Sequence, residues 1–174
     1  DAYIITSSDG ITWTERANPQ NITLNDVTWN GSIFVAVGNP DGTDAYIITS
    51  SDGITWTERA NPQNITLNDV TWNGSIFVAV GNPDGTDAYI ITSSDGITWT
   101  ERANPQNVTL NDVTWNGSIF VAVGNLDGTD AYIITSSDGI TWTERANPKN
   151  VTLNDVTWNG SIFVAVGNLD GTDA

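Results

Sequence analysis

Short runs in which apolar and polar residues alternate recur along the chain, and turn-forming residues separate them. In residues 11–16, Ile11 and Trp13 lie at alternate positions between threonines, which is typical of a half-buried strand. Residues 33–37 are apolar throughout, as expected for a strand covered on both faces. The pattern predicts strands near residues 3–7, 11–15, 26–29 and 33–37, and no stretch has the spacing of a capped helix.

Two kinds of connection join these runs. Ser8-Asp9-Gly10 and Asn30-Gly31 are predicted hairpin turns, because glycine accepts the positive φ that tight turns require. Residues 18–23 and 39–44 are longer connections. Since strand direction alternates, both tight turns fall on one face and both longer loops on the other. Loops held by a rigid scaffold often bind ligands, so the loop face is the candidate functional face.

The same 43-residue unit occurs four times in succession. The copies cover residues 1–43, 44–86, 87–129 and 130–172, and residues 173–174 begin a fifth, so we expect a single repeat domain over residues 1–174. They differ at three places only: Gln20/Gln63/Gln106/Lys149, Ile22/Ile65/Val108/Val151 and Pro40/Pro83/Leu126/Leu169. This indicates recent duplication or design from a natural repeat. Because residue 1 is Asp, we interpret the chain as mature, excised or trimmed.

Two hairpins in each tandem repeat predict an all-β fold, a β-propeller built of four-stranded antiparallel blades. A unit of 43 residues matches the ~40–45 residues of a propeller blade. A β-trefoil is the first alternative, but it would show three copies. A β-solenoid is the second, but its coils are usually shorter and lack two hairpin turns.

Residues 7–13 read Ser-Ser-Asp-Gly-Ile-Thr-Trp, and Val27 and the run 33–38 follow them. Together they resemble the Asp-box (BNR) repeats of sialidase-like β-propellers, in which the motif runs Ser-x-Asp-x-Gly-x-Thr-Trp. This copy is one residue shorter between Asp9 and Trp13. In the family the motif is a folding element rather than a catalytic one, so the resemblance implies the fold more than an activity.

The resemblance also implies an order of strands. Residues 24–29 would be the innermost strand A, 33–38 strand B, 3–7 strand C and 11–16 the outer strand D, so each repeat runs C-D-A-B. A closed ring would then join the N-terminal C–D hairpin to the C-terminal A–B hairpin and leave no open edge. We expect burial between blades at four positions and their equivalents, namely Ile5, Trp29, Val35 and Val37.

The number of blades in the ring is a separate question. Four blades would need wide wedges with bulky outer strands, whereas this outer strand carries Thr, Glu and Arg. We therefore expect a homo-oligomer, either a larger ring formed by two-fold pairing or an end-to-end array joined through the terminal half-blades.

Composition narrows the chemistry and the partners. The sequence has no Cys and no His, which excludes disulfides, thiolate metal sites and the commonest general base. Its net charge of −16 repels phosphate backbones and lipid headgroups, so neither nucleic acid nor membrane insertion is expected. An acidic surface fits an extracellular or cell-surface protein.

One loop could hold a cation. Three side chains with oxygen atoms lie two or three residues apart around a glycine, and they belong to Asn39, Asp41 and Asp44. Ca²⁺ accepts oxygen ligands of this kind. The alternative is a local Asx turn, since the distal glutamate of an EF-hand is missing. No other cofactor is expected.

The sequence also contains N-glycosylation patterns. Asn-Ile-Thr or Asn-Val-Thr occurs once in each repeat, and so does Asn-Gly-Ser, which begins at Asn30 in the first repeat. The first pattern offers the better acceptors, because Asn30 lies in a tight turn. The candidate acceptors are Asn21, Asn64, Asn107 and Asn150.

Aromatic and charged residues raise two further hypotheses. Trp13 and Trp29 could stack on sugar rings, or they could be core residues in register with neighbouring apolar positions. Glu15 and Asp26 could be imagined as a catalytic carboxylate pair, but they are expected on the outermost and innermost strands. A sialidase-like site needs several convergent arginines, and each repeat offers only Arg16. No catalytic residue is therefore predicted.

We expect a non-catalytic extracellular or surface module that is a rigid scaffold for adhesion, self-assembly or multivalent binding of a protein or glycan. The alternatives are a carbohydrate-binding lectin propeller and a fragment of a sialidase-like glycosidase.

Overall fold

The structure, a computed structural model, describes residues 3–20, 22–39, 46–63, 65–82, 89–106, 108–126, 130–147 and 151–168. Within these ranges the chain forms β-strands and no helix, so no helix there could span a membrane. The strands are β1 (Ile4–Thr6), β2 (Thr14–Arg16), β3 (Thr23–Trp29), β4 (Phe34–Asn39), β5 (Tyr46–Ser50), β6 (Thr57–Arg59), β7 (Thr66–Trp72), β8 (Phe77–Asn82), β9 (Tyr89–Ser93), β10 (Thr100–Arg102), β11 (Thr109–Trp115), β12 (Phe120–Leu126), β13 (Asp130–Ser136), β14 (Thr143–Arg145), β15 (Thr152–Trp158) and β16 (Phe163–Asn168).

These strands form three complete sheets and two half-sheets. The complete sheets are antiparallel and four-stranded, with the orders β3-β4-β5-β6, β7-β8-β9-β10 and β11-β12-β13-β14. Strands β1 and β2 form a two-stranded N-terminal half-sheet, and β15 and β16 form a C-terminal half-sheet. Each complete sheet therefore takes two strands from one 43-residue repeat and two from the next. The predicted all-β fold with four-stranded antiparallel repeats is confirmed.

The second predicted strand of each repeat was placed too early. It spans Thr14–Arg16 rather than residues 11–15. Ile11 is 85% exposed, so it does not share a buried face with Trp13 as the alternation predicted. The reason is local, because the backbone amides of Ile11 and Thr12 donate to the side chain of Asp9 in the turn. They are therefore not available for pairing with a neighbouring strand.

Apolar side chains of adjacent complete sheets pack together into one core cluster per junction. Between the first two complete sheets, Val35, Val37 and Ile47 pack against residues of the second sheet such as Leu67 and Phe77. An equivalent cluster, displaced by one repeat, joins the second and third complete sheets. Strands β4, β8 and β12 are apolar on both faces because a sheet lies against each face. The burial predicted from the sequence for Val35 and Val37 on β4 is confirmed.

Burial at the two ends of the molecule differs from the prediction. Ile5 is 50% exposed and Trp29 is 43% exposed, although both were expected to be buried. Ile48, which occupies the position of Ile5 one repeat later, is 0% exposed. Ile5 and Trp29 both lack a neighbouring sheet on one side. The equivalents of Trp29 in the other two complete sheets, Trp72 and Trp115, are only half-buried, so the predicted burial of this tryptophan is wrong at the internal positions as well.

Candidate functional site

The Ser-Ser-Asp-Gly turn connects the third and fourth strands of each complete sheet and the two strands of the N-terminal half-sheet. Ser7 Oγ donates to Asp9 Oδ1 at 2.9 Å, and Asp9 Oδ1 accepts the amides of Ile11 and Thr12 at 2.8 Å each. Gly10 has a φ of 72°, which a side chain would strain. The amides of Thr12 and Ile11 lower the pKa of Asp9 to about 2. This carboxylate is fully engaged within its own turn, so its role is structural.

A second set of carboxylates lies on the first strand of each complete sheet and of the C-terminal half-sheet. These residues, here named the aspartate row, occupy one position in successive repeats, and they are Asp26, Asp69, Asp112 and Asp155. Asp26 Oδ2 accepts the amide of Val70 at 3.1 Å across the junction between the first and second complete sheets. The two following junctions repeat this bond at 2.8 Å each, from Val113 to Asp69 and from Val156 to Asp112.

A β-bulge positions the row. The register of β7 against β8 shifts between Leu67 and Asp69, which leaves Asn68 as the extra residue. Asn68 Nδ2 donates to the carbonyl oxygen of Leu110 on the next sheet at 2.7 Å. Opposite the bulge a Cβ built on Gly81 would lie 1.9 Å from the Thr66 carbonyl oxygen, so only glycine fits there. The Asn-Asp pair thus makes two side-chain bonds across each junction.

The carboxyl groups of the row also face one another. Burial, followed by the charges of Asp112 and Asp26, raises the pKa of Asp69 well above its usual range. The amide of Val70, the residue after Asp69, donates to Asp26 Oδ2 and so holds the carboxyl of Asp26 near that of Asp69. Two carboxyls held together away from water cannot both stay ionised, so one of them keeps its proton. Burial likewise raises the pKa of Asp112. Asp69 and Asp112 therefore retain protons at pH values where ordinary carboxyls have lost them.

The row does not form a metal centre. Among the described residues there is no group of three or more Asp or Glu side chains arranged to hold an ion. The bonds from Val70 and its equivalents occupy one oxygen of each of three carboxyls. Proton sharing and cross-junction hydrogen bonding are the chemistry that this arrangement supports.

The N-terminal half-sheet borders an open groove. The groove has a volume of about 340 Å³, and its walls include Tyr3, Ile5, Leu24, Phe34 and Trp56. Asp26, the first member of the aspartate row, also lines it. Its floor is the face of the first complete sheet that corresponds to the faces buried in the other two complete sheets.

The C-terminal half-sheet exposes the complementary apolar surface. Ile162 and Val164 are exposed there, and Val164 is 45% exposed. Their equivalents two repeats earlier, Ile76 and Val78, lie against the Gly139 turn of the following sheet. The last sheet thus presents the side chains that fill the junction elsewhere in the molecule.

The structure tests the aromatic hypothesis directly in the complete sheets. Trp99 and Trp142 are buried, and Trp99 Nε1 donates to the Gly96 carbonyl oxygen at 3.2 Å. The Phe77 ring lies between Trp72 and Trp99, with centroid distances of 4.4 and 6.1 Å. At these positions the tryptophans are core residues. Trp13, which precedes β2 of the N-terminal half-sheet, is 55% exposed, and its equivalent Trp56 in the first complete sheet is half-buried.

The charged residues named from the sequence are separated. Glu15 lies on β2 in the N-terminal half-sheet, whereas Asp26 lies on β3 in the first complete sheet, so the two do not form a pair on one sheet. Arg16 Nε donates to Thr6 Oγ1 at 2.9 Å, and the other three arginines make the equivalent bond.

Other candidate residues lie outside the described ranges. Asp41 and Asp44 of the calcium loop are among them, and Asn39 ends β4. The glycosylation candidates Asn21, Asn64, Asn107 and Asn150 also lie outside. The aspartate row itself was missed in the sequence, where its only signal is an Asn-Asp pair repeated every 43 residues in a predicted strand.

No family model matches the chain, and no curated protein matches its sequence. The geometry of the junctions is therefore the basis for a functional proposal.

Proposed function

We propose that this chain is a non-catalytic β-propeller module that assembles with further copies of itself into a rigid scaffold for adhesion or multivalent binding. The observation that carries the proposal is the match between its two ends. The C-terminal half-sheet has the sequence of the first two strands of a complete sheet, and the N-terminal half-sheet has that of the last two.

Contacts between successive first strands support the propeller. Asn25 on β3 bonds to the Leu67 carbonyl oxygen at 2.8 Å, and Asn111 on β11 bonds to that of Leu153 at 2.6 Å. The strands that approach each other in this way would surround the axis of the proposed propeller, which supports the hypothesis that they are the innermost strands A. Each repeat would then run C-D-A-B, and the Ser-Ser-Asp-Gly turn would occupy the place of an Asp-box between strands C and D.

A second copy would complete the open blade. Inside the chain β4 pairs with β5, with Val35 opposite Thr49 and Val37 opposite Ile47. The equivalent strands at the ends are β16 and β1, and in the structure β16 pairs only with β15 and β1 only with β2. The proposed pairing of two copies follows the internal register, with Val164 opposite Thr6 and Val166 opposite Ile4.

The groove fits a strand better than a sugar ring. Its walls are largely apolar, and the free edge of β1 offers backbone N–H and C=O groups to a strand. The side chains presented by β16 are those that fill the equivalent internal junctions. A second copy of this chain is therefore the proposed occupant.

Two joined chains would close a ring of eight blades, because each contributes three complete sheets and one half of each composite blade. This lies within the ~4–8 blades of known propellers. Identical blades would present identical loops around the ring, so weak binding sites would gain strength through avidity. The net charge of −16 would keep such an assembly soluble at an extracellular or cell surface.

The proposal is tested by the mass of the protein in solution. Light scattering after size-exclusion chromatography should give at least twice the 18.6 kDa of the chain. Val164→Asp should dissociate the assembly to the monomer, because it places a charge on the exposed C-terminal surface. Ile97→Asp is the matched control, since Ile97 is 47% exposed in a turn of a complete sheet and should leave the mass unchanged. A wild-type protein that stays at 18.6 kDa at every concentration would contradict the proposal.

A further inference from the structure

The aspartate row extends to both ends that the proposed assembly would join. Asp26 lies in the groove at the N-terminal end. Asp155 is exposed on β15 in the C-terminal half-sheet. At the three internal junctions each row carboxylate receives an amide from the next sheet. The unjoined chain therefore carries one row carboxylate at each end of a junction that is not yet made.

Repetition of the internal contacts fixes what would meet there. By equivalence, Asp155 Oδ2 would accept the amide of Val27 of the second copy, and Asn154 Nδ2 would donate to the carbonyl oxygen of its Leu24. The same geometry places the carboxyl of Asp155 beside that of Asp26 of the second copy, as Asp26 lies beside Asp69 within the chain. Two carboxyls brought together away from water cannot both stay ionised.

We propose that each junction between two copies takes up a proton that Asp155 of one copy shares with Asp26 of the other, so that assembly strengthens as the pH falls. This inference rests on the proposed function. The internal row supplies the precedent, because the amides of Val70, Val113 and Val156 each hold a row carboxylate against the next first strand, beside the following aspartate of the row.

The titratable groups that face the row come from the neighbouring first strands. Asp69 on β7 faces Asp26 on β3 and Asp112 on β11, and Asp112 also faces Asp155 on β15. All of these groups are acidic. None of them is a cation that could take the place of the shared proton, so we expect the junction between two copies to share a proton as well.

The sign of the effect follows from linkage. A carboxyl whose pKa is raised by joining binds a proton on joining, so low pH favours the joined state. The contribution of this proton uptake to association is complete below the pKa of an ordinary Asp side chain, about 3.9. It is lost as the pH rises through the raised pKa of the joined state. Between the two values the association constant should fall by about tenfold per pH unit for each proton taken up.

Sedimentation equilibrium of the full chain between about pH 5 and 8 tests this inference. The wild-type association constant should fall as the pH rises. Asp155→Asn should flatten that dependence and associate more tightly than the wild type at the upper end, because an amide can donate to the partner carboxylate without a shared proton. Calorimetry in buffers of different ionisation enthalpy should count about one proton per junction for the wild type and none for Asp155→Asn.

Glu101→Gln is the matched control, because it removes one exposed charge from a complete sheet and leaves the row intact. It should keep the wild-type slope, which separates the shared proton from general charge repulsion. Assembly that is independent of pH, or a slope that Asp155→Asn leaves unchanged, contradicts this inference and leaves the proposed function standing. A chain that assembles at no pH contradicts both.

Discussion

The middle and the ends of this molecule have nearly the same sequence and different surroundings. Val35 in the first complete sheet is 0% exposed, whereas Val164 in the C-terminal half-sheet occupies the same repeat position and is exposed. Ile48 and Ile5 differ in the same way. Because sequence is held constant, the comparison isolates the contribution of a neighbouring sheet. Burial in this fold depends on the neighbour, and each repeat is stabilised chiefly by the next one.

The largest expected effect comes from removing the same aromatic side chain in both regions. Phe77→Ala should lower the free energy of unfolding by about 3–5 kcal/mol, because Phe77 is fully buried between two tryptophans. Phe163→Ala should cost clearly less, since Phe163 lies in the half-sheet and is only partly buried. Urea denaturation at concentrations where the chains are dissociated measures both. Equal costs would show that the missing neighbour is unimportant.

An intermediate effect should separate two classes of aspartate by pH. Asp69 has a raised pKa, so its contribution to stability is lost as the pH rises above the ordinary range of about 4. Asp69→Asn removes that dependence, and its stability relative to the wild type should therefore increase with pH.

Asp95 in the turn is the matched comparison, because the amides of Thr98 and Ile97 lower its pKa. Its contribution is present at neutral pH and is lost as the pH falls below about 4. Asp95→Asn should destabilise the protein at neutral pH, and the difference from the wild type should shrink in acid. Thermal denaturation across pH measures both variants, and slopes of the same sign would contradict the assignment.

The smallest expected effect concerns a position where the repeats differ. The side chains of Gln20, Gln63 and Gln106 each donate to a glutamate of the next repeat, which for Gln20 is Glu58 at 2.9 Å. The fourth equivalent of these glutamines is Lys149, which lies outside the described ranges. In the proposed assembly its partner would be Glu15 of the second copy, at the position of the glutamate in the next repeat.

Lys149→Gln should weaken association by less than about 1 kcal/mol, as for an exposed ion pair. The difference from the wild type should vanish at high salt, which screens such pairs. Sedimentation at low and high salt measures it. A larger loss that persists at high salt would mean that Lys149 has another role.

The strands could be predicted from sequence because their signals are local. Alternation in residues 26–29, the apolar run 33–37 and the Asn30-Gly31 turn each depend on a few neighbouring residues. The prediction failed at residues 11–13, where the carboxylate of Asp9 takes the backbone amides that a strand would have used. A side chain that competes with the ladder for amides leaves no trace in hydrophobic periodicity.

The aspartate row could not be predicted for a different reason. In the sequence Asp26 is a polar residue beside an apolar one, as on any half-exposed strand. Its proximity to Asp69 depends on how two sheets pack and on a bulge that turns both carboxyls toward the junction. The exposure of Ile5 was missed for a similar reason, because it depends on where a repeat lies in the array.

The boundary of each repeat falls between two hairpins of one sheet rather than between two sheets. A genetic event that gains or loses one 43-residue unit therefore adds or removes a junction of the same kind as those already present. No new interface has to evolve, and the two ends remain complementary at any copy number. Unequal recombination would thus change the size of the proposed assembly in a single step.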